Sequence, residues 1–206
     1  QYGIAVVGPS SMETGTIIRG NIIGSTTAAN KIYFRGIFIS NQQNISVTQN
    51  TIQGVAFASG STTLQGSGIY VVGAISGGSI DRNNISDVSV ASVWGCNGIQ
   101  LNSSTANTGL VIANNFIYNI FAGGFSTFDT VDDNGTGIAV NTGGGYNIWY
   151  NSINLTTNQG SGITAAIWFG TDVSLANLNV RNNIFANSQT TATRYAIYSN
   201  SPNTIF

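Results

Sequence analysis

Three of the chain's seven acidic residues, Asp129, Asp132 and Asp133, lie together in the stretch FAGGFSTFDTVDDNGTG, 121–137. With Asn134 and a backbone carbonyl they offer the oxygen donors that Ca2+ takes, although their spacing is not that of an EF-hand loop. A solvated acidic loop is the plainer reading of the same residues. Asp81 is the one carboxylate beside a repeated strand motif, and its neighbour Arg82 favours a surface ion pair over acid–base work. The chain has no His, so the commonest general base and metal ligand are missing. Cys96 is the single cysteine and reads as a small buried hydrophobe. That leaves asparagine, as in VRNNIFANS, 180–188, where an amide side chain between apolar residues either binds a ligand or holds a turn.

The elements around it decide. The pattern β-branched, two residues, Asn, one residue, Ile or Phe occurs six times. Its asparagines are Asn21, Asn50, Asn83, Asn115, Asn151 and Asn183, at spacings of 29, 33, 32, 36 and 32. A second motif, small residue, Ile, any residue, apolar, alternates with it: GIAV at 3–6, GIFI at 36–39, GIYV at 68–71, GIQL at 98–101, GIAV at 137–140, AIWF at 166–169 and AIYS at 196–199. Two interleaved motifs at one period mark a repeat architecture.

Each motif alternates apolar and polar residues and reads as a short strand. Gly, Asn, Ser and Thr between them are turn formers. No segment carries a helical period. A strand that recurs every 30 or so residues without a hairpin turn pairs with its own copy, and such pairing is parallel. Parallel sheets need both faces covered, normally by helices. A coil that stacks on itself meets that need without them. The expected fold is therefore all-β: a right-handed parallel β-helix of about six to seven coils of roughly 30 residues, one domain over 1–206. Ile18, Val47, Ile80, Ile112, Ile148 and Val180 form one interior row. Ile4, Ile37, Ile69, Ile99, Ile138, Ile167 and Ile197 form another. The Asn column is structural: Asn tolerates the left-handed conformation of a sharp turn, and stacked amides hydrogen-bond as a ladder.

The N-x-I … G-I-x-V repeat resembles the right-handed parallel β-helix, pectate-lyase-like superfamily, and most of all the β-helical repeat regions of large secreted bacterial surface proteins. The resemblance implies an extracellular or cell-surface place and, for the superfamily's enzymes, clustered carboxylates or Ca2+ on an outer sheet face. This chain has one Glu and lacks the His and the Arg-x-Lys that accompany several Asp in the polygalacturonase-like pattern, which leaves Asp132-Asp133 a weak match to it.

The positions left free by the repeat are the outward ones. In the G-I-x-V strands the x column reads Ala5, Phe38, Tyr70, Gln100, Ala139, Trp168 and Tyr198. Phe38, Tyr70, Trp168 and Tyr198 offer rings for stacking on a polysaccharide or burying against another chain. Only 6% of residues are charged and the net charge is −1, which gives no basic footprint for nucleic acid. No apolar run is long enough for a membrane-spanning helix. Both ends read as cuts through a longer chain whose flanking β-helix coils, or identical subunits end to end, continue the stack. The expectation is a non-catalytic structural or adhesive segment: a stalk, fibre element or carbohydrate-binding scaffold. A polysaccharide lyase or glycoside hydrolase is the alternative. No cofactor is expected, apart from Ca2+ at the acidic loop.

Overall fold

Ile18, Val47, Ile80, Ile112, Ile148 and Val180 stand in register on successive parallel strands, as the repeat requires. The computed structural model describes residues 1–57, 65–90, 95–124, 134–174 and 178–201. Within them every strand pairing is parallel, in a 12-stranded sheet and a 6-stranded sheet. The chain is all-β and only 2% helical, a parallel β-solenoid. Its helical element among the described residues is the short 3-10 turn Ala28–Asn30.

The larger sheet holds both expected interior rows. Ile4, Ile37, Ile69, Ile99, Ile138, Ile167 and Ile197 are consecutive register partners. The long strands Arg35–Thr48 and Gly66–Asp81 run from the G-I-x-V motif to the start of the Asn motif without a break. The smaller sheet carries the last residue of the Asn motif, in the row Ile23, Ile52, Ile85, Ile117, Ile153 and Phe185. These rows face each other across one continuous apolar core. Ile37, Ile69, Ile99, Ile138 and Ile167 are fully buried, whereas Ile197, in the last described strand, is 40% exposed.

The small residue of the second motif has a packing cause. A Cβ at Gly98 would lie 2.5 Å from Ile117 Cγ2 and 2.6 Å from the carbonyl oxygen of Gly137 on the next coil. The two sheets and two coils converge there, so a side chain has no room. Ala166 takes the corresponding place two coils on and is fully buried.

The solenoid has about five turns, which corrects the expectation of six to seven coils. Each motif marks one point on a coil, and the six column asparagines bound five steps from Asn21 to Asn183.

Candidate functional site

The Asn column is a hydrogen-bonded ladder with a direction. The Oδ1 of Asn83 accepts from both the backbone N–H and the Nδ2 of Asn50, each at 3.0 Å. Asn115 Oδ1 receives the same pair from Asn83, Asn151 from Asn115, and Asn183 from Asn151. Each Nδ2 also donates backward to a β-branched residue of an earlier coil: Asn83 to the Val47 carbonyl at 2.9 Å and Asn115 to the Ile80 carbonyl at 2.9 Å. The four middle members are buried, and each amide spends its oxygen and its nitrogen inside the fold. Such a group has no capacity left for a ligand.

The bend itself is made one residue earlier than expected. The left-handed residues are Gly20, Gln49, Arg82, Asn114, Tyr150 and Asn182, with φ between 55° and 69°. Each directly precedes a column Asn, and no column Asn has positive φ. The expectation that the column Asn adopts the strained conformation is therefore corrected. Its side chain clamps the bend that its neighbour makes, which frees that neighbour to be Gln, Arg or Tyr.

The aromatic column is in register but is not an open stripe. Tyr70 is 9% exposed and Trp168 6% exposed, while Phe38 and Tyr198 are half-buried. Trp168 packs on Ala139, Ala165 and Tyr198. Tyr70 accepts a 2.9 Å hydrogen bond from Asn102 Nδ2 and lies 5.7 Å from the ring of Phe38. The four rings thus form two separate groups, at opposite ends of the larger sheet. At the first of these sits Arg35, which sequence reasoning passed over. It is only 7% exposed, and its guanidinium lies 3.7 Å from the Tyr70 ring centre and 4.1 Å from that of Phe34. Burial lowers its affinity for a proton, and the rings stand where a carboxylate usually would. Arg occurs once in its register column, so no period announced it.

Asp81 forms the expected ion pair with Arg82, 3.0 Å from Asp81 Oδ2 to Arg82 Nη2. Among the described residues no group of three or more Cys, Asp and Glu is placed to hold a metal. Asp129, Asp132 and Asp133 lie outside the described residues. Asn134, grouped with them on sequence, turns its Oδ1 toward Gln159 Nε2 at 2.7 Å and the Ile163 amide at 3.2 Å. Cys96 is buried, with Sγ 3.0 Å from the Phe121 carbonyl and 3.4 Å from that of Val88. Burial pushes its thiol well above the ordinary range, so it is no nucleophile.

No protein-family model, curated protein or solved structure matches this chain.

The fold therefore rests on its own geometry, and two open features remain. One is the last described coil, where Val180, Asn183, Phe185 and Ile197 line a groove of about 280 Å3. Among the described residues the backbone N–H of Asn183 has no acceptor, and at the other end Asn21 Oδ1 receives no donor. The second is a groove of about 260 Å3 beside the smaller sheet, lined by Lys31, Asp87, Ser89, Asn119, Phe121 and Thr157. Its residues sit at a second bend, where Asp87 and Asn119 are left-handed, each with φ 54°. Sequence reasoning missed them because no common residue type repeats there. No helix of the described residues is long and apolar enough to cross a membrane.

Proposed function

We propose that the chain is a non-catalytic structural segment, a stiff axial spacer in a stalk or fibre at a bacterial cell surface or outside the cell. The observation that carries this reading is the one-way Asn ladder. It gives the chain an acceptor end at Asn21 and a donor end at Asn183. The apolar rows also come to the surface at those ends: Ile4 and Val6 are half-buried and Ile197 is exposed. A further coil laid on either end takes up the open rung and covers the row. That coil comes from flanking sequence or from an identical subunit stacked end to end. Unpaired parallel edges favour such addition. The sparsely charged polar surface and the resemblance to pectate-lyase-like surface proteins support the extracellular place.

Sedimentation velocity tests the reading on residues 1–206. The open ends are expected to give concentration-dependent association that Ile197→Lys abolishes while the fold is kept. A strict monomer at every concentration would overturn the end-on reading. Release of reducing ends or unsaturated products from pectin or xylan would overturn the non-catalytic one.

A further inference from the structure

The outward face of the smaller sheet takes no part in the axial role. Each of its six strands places one residue in the same outward column: Ile22, Thr51, Asn84, Phe116, Ser152 and Ile184, consecutive register partners. These alternate with the interior row from Ile23 to Phe185 and so point away from the core. Ile22 is 78% exposed, Phe116 48% and Ile184 68%. Large apolar side chains gathered on one face mark a contact surface, unlike single scattered ones. No residue of this column is charged, and neither are Gln53, Ser86, Tyr118 and Asn154 in the next outward column. Covering the face therefore strips water from no ion.

The bulk on this face is placed off centre. Phe116 and Tyr118 stack 4.9 Å apart on the fourth strand, Phe116–Phe121. Their register partners on the third strand, Asn84–Val90, are the smaller Asn84 and Ser86. An aromatic ridge thus lies beside a shallower step, and the midpoint of the column falls between them.

This arrangement is self-complementary. A second copy can be turned about an axis that runs along the strands, between the third and the fourth, and laid face to face on the first. Ile22 then meets Ile184 of the second copy, Thr51 meets Ser152, and the Phe116–Tyr118 ridge fits over Asn84 and Ser86. Each contact occurs twice, as a twofold interface requires. A slip of one coil sets Phe116 against Phe116 and Ile184 against Thr51, so the pattern also fixes the register. We propose that the smaller sheet is the contact face for a second copy of this chain, lying side by side with its solenoid axis reversed.

Size sets the role of this contact. The two columns span about 24 Å along the axis and about 10 Å across it. A patch of that size falls short of the burial of about 1,000 Å2 that a stable pair needs. One pair of chains is therefore transient. Segments stacked end to end repeat the patch along a fibre, and linked contacts add avidity. Pairing of whole fibres rests on the end-on reading, whereas the contact face itself does not.

Cross-linking tests the face in the Ile197→Lys background, where end-on stacking is blocked. Thr51→Cys and Ser152→Cys are combined and treated with a short bismaleimide. The reagent reaches across the roughly 10 Å between packed sheets but not the roughly 14 Å between these two coils of one chain. Cys96 is buried and stays unmodified. The double variant is expected to give at least tenfold more covalent dimer than either single variant. Phe116→Lys and Asn84→Lys, in folded protein, are each expected to remove that excess. A yield no greater than that of the single variants overturns the proposal, as does an excess that both lysine substitutions leave intact. In electron micrographs, wild-type filaments are expected in pairs that Phe116→Lys separates. Single wild-type filaments overturn the pairing. An absence of filaments overturns only the end-on reading, and the cross-linking still decides the face.

Discussion

Asn115 Oδ1 lies 3.1 Å from the backbone nitrogen of Asn83 and 3.0 Å from its Nδ2, so one side-chain oxygen closes a rung in two ways. Asn115 Nδ2 meanwhile holds Asn151 Oδ1 and the Ile80 carbonyl, each at 2.9 Å. The residue therefore joins groups from three coils while exposing 1% of its surface. Truncation orphans the buried N–H groups of Asn83, and each such loss costs about 1–3 kcal/mol. Asn115→Ala is expected to lose about 3 kcal/mol or more in denaturant unfolding. Asn21→Ala, on the half-buried first rung, is expected to lose under about 1 kcal/mol. Equal losses at the two positions would break the link between burial and ladder strength.

The bend residues make an opposite prediction. Tyr150 is 53% exposed and holds φ 56°. A left-handed residue other than Gly costs about 1–2 kcal/mol. Tyr150→Gly removes that strain and is expected to raise stability by up to about 1 kcal/mol, after the larger entropy of the unfolded glycine chain is subtracted. The same change at Asn151 is expected to lower it. A fall in melting temperature for Tyr150→Gly would show that the Tyr ring contributes more than its exposure suggests.

Arg35 is a buried cation whose neighbours are rings, and its Nε has no hydrogen-bond partner among the described residues. Replacing a buried charge by an apolar group of similar length is often neutral. Arg35→Met is expected to stay within about 1 kcal/mol of wild type. Arg35→Ala is expected to lose more, because it removes the stem that packs between Phe34 and Tyr70. Chemical denaturation of the two variants reads the difference directly.

Stability should fall in alkali. Cys96 and Tyr146 are both buried, and burial raises both above their ordinary values of 9.0 and 10.0. A raised folded value means that the neutral form is the one that fits. The contribution is complete below the ordinary value and is lost as pH climbs toward the folded one. Melting temperature is expected to decline from about pH 9 upward. Cys96→Ala is expected to delay the onset, leaving the Tyr146 part. An alkaline profile unchanged in that variant would assign the effect elsewhere.

Much of the fold was legible because the interior is periodic. Ile18 to Val180 and Ile4 to Ile197 fell into register as the motif spacing required. The Asn column was legible for the same reason, since one residue type recurs on every coil. Its mechanism was not. The left-handed position tolerates Gly, Gln, Arg, Asn and Tyr, so it leaves no compositional trace. Outward residues were the least legible. Tyr70 and Trp168 alternate with the core as exposed residues do, yet both are covered by neighbours on their own face. The hydrogen-bonded line from Asp87 through Asn119 to Thr157 uses three residue types and was invisible until the coils were stacked.

Hydrogen exchange of the asparagine amides, followed by NMR, tests the central claim most directly. If the column is an axial ladder, the backbone N–H groups of Asn50, Asn83, Asn115 and Asn151 and their carboxamide protons exchange only through global unfolding. Asn183 N–H, without an acceptor among the described residues, exchanges fast. Rapid exchange at Asn83 and Asn115, or carboxamide shifts that move on adding Ca2+ or a saccharide, would contradict the ladder and return these residues to the standing of a binding site.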